Sequence, residues 1–142
     1  MPEPAAPPIL LDTCAAIWLA NGDPMTAQSR AAITAAQASS AGVNVSPISA
    51  WEIATLVARN RLQLTLAPDA WFRQLVALPG VRLAPMPSEL LIASAFLPGV
   101  PPRDPADRII AATARAYNLA IVTRDGELTH YAQAGHVVTI EC

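Results

Sequence analysis

The chain has 142 residues, of which 53% are hydrophobic, a formal net charge of −2, two cysteines and two histidines. That is enough chain for one core and too little for two, and no apolar run approaches the roughly 18 residues of a membrane span. All nine cations are arginine, so a P-loop, which needs its lysine, is excluded, and Cys14 and Cys142 form neither a disulfide framework nor a zinc pattern.

The start, MPEPAAPPILL, has four prolines in its first eight positions and no basic residue before its apolar patch. It does not read as a secretory signal, a cytoplasmic protein is the default, and residues 1–8 are expected to be a loose tail. Ile9-Leu10-Leu11 is a short apolar run closed by Asp12 and reads as a first strand. Thr13 is a candidate cap for a brief helix over 15–20, stopped by Asn21-Gly22. Asp23-Pro24 suggests a second helix start, with an alanine-rich helix over 25–41 ended by Gly42.

Val43-Asn44-Val45 reads as a strand, and Ser46-Pro47 opens another helix on which Ile48, Trp51 and Leu56 are expected to be buried, with Glu52 among them. A carboxylate in so apolar a segment snorkels, pairs with a cation or coordinates a metal. Residues 62–66 are a connecting turn or short strand, and Pro68-Asp69 starts a helix that Pro79-Gly80 breaks. Residues 81–84 are a strand candidate, 88–97 a helix, and 98–102 a stiff loop.

The densest stretch follows: RDPADRIIAATARAYNLAIVTRD, residues 103–125. Asp104 is placed as an N-cap, Pro105 suits the first helical position, and Asp107 falls in the first turn, where the helix dipole favours an acid. Ile110, Ala114 and Tyr117 share one face, and Asn118 is a left-handed stop. Residues 119–122 then read as a strand buried on both faces, closed by Thr123-Arg124-Asp125, with a short helix over 126–134 and a last strand over 137–140.

Strands alternating with helices call for an α/β fold with a mostly parallel sheet covered on both faces, one domain over 1–142. Ligands of such sheets bind outside the carboxyl ends of the strands. Asp12 and Asp125 end strands, and Glu52 and Asp107 lie in early helical turns, so four acids from distant segments are expected at that edge. Close carboxylates repel by roughly 4 kcal/mol per pair at an effective dielectric near 20, so the cluster calls for a cation. An all-oxygen donor set selects Mg²⁺, or Mn²⁺, over Zn²⁺, and such an ion supports phosphodiester hydrolysis by water.

The segments ILLDTCAAIWLANG, SPISAWEIATLVARNRLQL, RDPADRIIAATA and LAIVTRD resemble the PIN-domain ribonucleases, most of all the VapC-type toxins of toxin–antitoxin pairs. The resemblance spans nearly the whole chain. It implies a three-layer α/β/α sandwich, metal-dependent endonuclease activity on RNA, a homodimer, and a VapB-type antitoxin that blocks the acidic pocket. Carried over by position, the acids of the family fall on Asp12, Glu52, Asp107 and Asp125. Asp104 is then a cap and outer-shell group, Thr123 resembles the hydroxyl that precedes the fourth acid by two residues, and Thr13 steadies Asp12, with a backbone hydrogen bond as the other reading of both hydroxyls. Arg108 and Arg124 flank the acids and either hold phosphate or pair with those acids. Asn60 stands where many relatives have glycine, and both residues tolerate a left-handed backbone. A non-catalytic module of the same fold and a DNA-directed nuclease are the competing readings.

Overall fold

The computed structural model describes residues 7–142. Five strands, β1 (Ile9–Leu11), β2 (Val43–Val45), β3 (Val81–Leu83), β4 (Ala120–Thr123) and β5 (Val138–Glu141), form one sheet in the order β3-β2-β1-β4-β5. Every pairing is parallel, with Leu11 level with Val45 on one side and Val122 on the other. The helices are α1 (Thr13–Asn21), α2 (Ala27–Ala38), α3 (Pro47–Ala58), α4 (Pro68–Ala77), α5 (Ser88–Ala95), α6 (Pro105–Tyr117) and α7 (Gly126–Gln133). None of the helices in the described residues is long and apolar enough to cross a membrane.

Alternation along the strands divides the core in two. Ile9 and Leu11, with Val43, Val45 and Val122, face α1 to α4 through Ile17, Ile33, Ile53 and Leu75. Leu10 and Ile121 face the other way, onto Ile110, Ala111 and Ala114 of α6 and Leu128 and Tyr131 of α7. The sheet is therefore the middle of three layers, as the resemblance implied.

Several local expectations need correction. Asp12, not Thr13, caps α1, and Thr26, not Asp23, caps α2, which ends at Ala38. β4 and β5 each begin one residue later than the apolar runs suggest, β3 ends at Leu83 and not at residue 84, and of the two readings of residues 62–66 the connecting segment holds. Trp51 is 63% exposed and Tyr117 38%, so neither belongs to the core. Of the expected tail, residues 1–6 lie outside the described residues, and Pro8 is tied in by its carbonyl, which accepts from Ala120 N at 3.1 Å. Asn60 and Asn118 take left-handed φ values of 57° and 55°, which stop α3 and α6.

Candidate active site

The strand order sets the site. From β1 the chain winds outward through β2 to β3, then returns to lay β4 on the opposite side of β1. The gap at the carboxyl ends of β1 and β4 is thus the point where winding reverses, and there the helices that follow the two strands diverge and leave a crevice. Asp12 directly follows β1, and Thr123 ends β4 with Asp125 two residues on.

Asp12, Asp104 and Asp125 each cap the helix that follows them, and Glu52 is held by a hydroxyl. Asp12 Oδ1 accepts from Ala15 N at 2.7 Å, so one carboxylate ends the strand and caps α1. Its Oδ2 accepts from the Thr123 hydroxyl at 2.5 Å, and Asp12 N extends the β1–β4 ladder to Val122 O at 3.1 Å. Asp125 caps α7 by accepting from Leu128 N at 2.9 Å, and its own N–H donates to Thr123 Oγ1 at 3.0 Å. Asp104 caps α6 by accepting from Asp107 N at 3.0 Å, which sets Asp107 in the first turn of that helix. Glu52, one turn into α3, accepts from the Thr13 hydroxyl, which therefore serves Glu52 and not Asp12 as expected. With that single hydrogen committed, Ser49 donates to Thr13 Oγ1 at 3.0 Å, and α1 and α3 are pinned together beside the acids.

The electrostatics tie these acids into one group. Burial, followed by the charges of Asp125, Asp104, Glu52 and Asp12, raises the Asp107 carboxyl to about 7. Burial also raises Asp12, against the opposing hydrogen bonds from Thr123 and Ala15; the charge of Asp125 adds to the rise and that of Arg124 opposes it. Glu52 is raised by burial, opposed by Thr13 and reinforced by Asp104 and Asp12. The ion pairs among the described residues are Arg73–Asp69 and Arg103–Glu127, so no arginine salt bridge neutralises these acids.

Two residues beside the acids escaped the sequence reading. Ser49 is fully buried behind Thr13. Cys14 is exposed as a residue, but partial shielding of its thiol from water, together with the charges of Asp12, Glu52 and Asp107, pushes it up to about 11. Nothing in its spacing marked it, although it lies two residues after Asp12. The flanking arginines part company: Arg108 reaches the Ser94 carbonyl at 3.4 Å, whereas Arg124 lies over the Trp18 ring and donates to the Cys142 backbone oxygen at 2.9 Å.

The donor set suits a hard divalent cation. The acids and the hydroxyls that hold them are oxygen donors, no salt bridge among the described residues neutralises the acids, and Mg²⁺ needs only one or two carboxylates because it keeps several waters. Among the described residues no three acids, cysteines or histidines already close on one point, so the arrangement is an open acidic mouth and not a finished cage.

Comparison with known proteins agrees with this geometry. The PIN-domain family model matches residues 9–134. The chain belongs to the PIN-domain family. It is 33% identical over 122 residues to ribonuclease VapC22 of Mycobacterium tuberculosis, spanning 84% of this chain and 88% of that protein. In fold this PIN domain is similar to a chain of the VapBC2 complex of Rickettsia felis bound to a promoter DNA fragment, with a TM-score of 0.66 at 12% identity over 94% of this chain and 97% of that one. It is also similar to chains of DNA-bound VapBC from Salmonella typhimurium, TM-score 0.57 at 18% identity over 94% and 96%, and of FitAcB from Neisseria gonorrhoeae, 0.56 at 21% over 93% and 96%.

Proposed function

We propose that this PIN-domain protein is a metal-dependent endoribonuclease of VapC type, held inactive by a cognate VapB-type antitoxin. The observation that carries the reading is the group of coupled, unpaired acids at the switch point, with Asp107 raised to about 7. Asp12, Asp107 and Asp125, with Glu52, are the residues that would hold Mg²⁺ or Mn²⁺. The ion would supply charge neutralisation and Lewis-acid activation of water at a phosphodiester. The protein's share is to fix the acids: Thr123 orients Asp12, Thr13 orients Glu52, and Asp104 sets the first turn that carries Asp107. Arg108, half-buried with one N–H on the Ser94 carbonyl, is assigned to an RNA phosphate through its remaining donors. That the M. tuberculosis relative is a ribonuclease supports RNA as the substrate, and the similarity to chains of VapBC complexes supports a VapB-type partner.

A homodimer belongs to the same reading. Ile92 and Phe96, one turn apart along α5 and just beyond it, are 62% and 82% exposed, and Val100 is 81% exposed, an apolar strip of the kind that a partner covers.

The decisive assay incubates purified protein with single-stranded RNA and single-stranded DNA of matched sequence, with Mg²⁺, with Mn²⁺ and with chelator. Metal-dependent RNA cleavage that is lost in Asp12→Asn and Asp107→Asn is the expected result. Cleavage of DNA alone would reassign the substrate, and cleavage that persists in both variants would contradict the site.

A further inference from the structure

Arg124 lies in the chain between Thr123 and Asp125, yet it forms no ion pair with any acid among the described residues. Its guanidinium carbon is 4.2 Å from the centroid of the Trp18 ring, and its Nε donates to the Cys142 backbone oxygen at 2.9 Å. Cys142 is itself fixed: its N–H donates to the Thr123 carbonyl at 3.2 Å, and its side chain is buried in the core cluster that holds Ile17 and Val122. Trp18 belongs to α1, the helix that Asp12 caps. One side chain therefore joins the helix behind Asp12, the end of β4 that carries Thr123 and Asp125, and the residue that follows β5.

We propose that Arg124 is a positioning residue for the acidic mouth. It clamps the β4–α7 turn against α1, so that Asp12 and Asp125 stand at a fixed separation before a cation arrives. This rests on the reading that those acids hold a divalent ion. The two contacts demand arginine in particular. A lysine keeps the charge but has neither a planar face to lie on Trp18 nor a side N–H to reach Cys142. An arginine used on RNA phosphate acts chiefly through its charge, which lysine replaces.

That difference makes the test. Mn²⁺ binding to purified wild type, Arg124→Lys, Arg124→Ala and Trp18→Leu is measured by isothermal titration calorimetry. In parallel, binding of a labelled single-stranded RNA in chelator is followed against salt. Positioning predicts that Mn²⁺ affinity falls in all three variants, by about 10-fold, the lower range for residues that orient metal ligands. It also predicts that the salt slope for RNA is unchanged in Arg124→Ala. A phosphate contact instead predicts unchanged Mn²⁺ affinity, lysine as good as arginine, and a slope about 0.7 smaller in Arg124→Ala. Wild-type Mn²⁺ affinity in Arg124→Lys overturns the inference alone, whereas a wild type that binds no Mn²⁺ overturns the metal reading beneath it. Loss of cooperative unfolding in Arg124→Lys also overturns it, since the clamp would then serve the fold and not the site.

Discussion

The Thr123 hydroxyl donates to Asp12 Oδ2 at 2.5 Å and, with the same oxygen, accepts from Asp125 N at 3.0 Å. One fully buried hydroxyl thus locks together the two strand ends between which the sheet reverses its winding. Thr123→Val keeps the shape and removes both bonds. The predicted outcome is a loss of about 10- to 100-fold in Mn²⁺ affinity or RNA cleavage, typical of a group that orients a ligand. It should cost about 1–3 kcal/mol in urea unfolding, as expected when a buried carboxylate and an amide lose a partner.

Asp107 gives a stability prediction whose sign is unusual for an acid. Its folded carboxyl is raised from 3.8 to about 7, so between those values the folded state holds a proton that the unfolded state has lost. Its contribution to stability therefore falls as pH rises through that window and stays low above it. Without metal, Asp107→Asn should melt above wild type at pH 8 and close to it at pH 4, while cleaving no RNA. A variant that melts below wild type at pH 8 would show that the charge of Asp107 is already compensated in the free protein.

Asp104 has two separable parts. Asp104→Ala removes the cap on Asp107 N and should cost about 1 kcal/mol of stability, the usual effect of losing an N-cap. Asp104→Asn keeps the cap and removes a charge that raises both Asp107 and Glu52. Titration of Asp107 followed by carboxyl NMR should then shift to lower pH in the asparagine variant, with melting nearly unchanged.

The apolar strip on α5 predicts a self-association defect. Phe96→Asp, at a position 82% exposed, should leave the fold intact. Light scattering after gel filtration should show a dimer for wild type and a monomer for the variant. A wild type that runs as a monomer at tens of micromolar would remove the homodimer from the account.

Much of this was legible in the chain, and the exceptions share a cause. The apolar run at 9–11 and the alternating 43–45 become strands as read, the 81–84 candidate ends one residue early at Leu83, and α6 starts and stops where Asp104, Pro105 and Asn118 indicate. Local pattern could not decide between capping residues one to three positions apart, which is why Asp12 took the role expected of Thr13 and Thr26 that of Asp23. Nor could it orient whole helices: Trp51 shares α3 with buried Ile53 but faces outward. The candidate acids were visible as strand ends and first turns. Their meeting depends on β4 lying beside β1, a long-range choice that no short window records. Cys14, Ser49 and the bond between Arg124 and Cys142 belong to that same class.

On the proposed reading the acids at the β1–β4 switch point hold a divalent ion, and thermal melting at pH 8 with increasing Mn²⁺ tests this most directly. At 100 times the dissociation constant, binding to the folded state alone contributes about 2.7 kcal/mol, and for a domain of this size that raises the melting temperature by about 5–10 °C. Wild type should show that rise, and Asp12→Asn and Asp107→Asn should lose most of it. A melting temperature in wild type that does not respond to Mn²⁺ or Mg²⁺ would contradict the account.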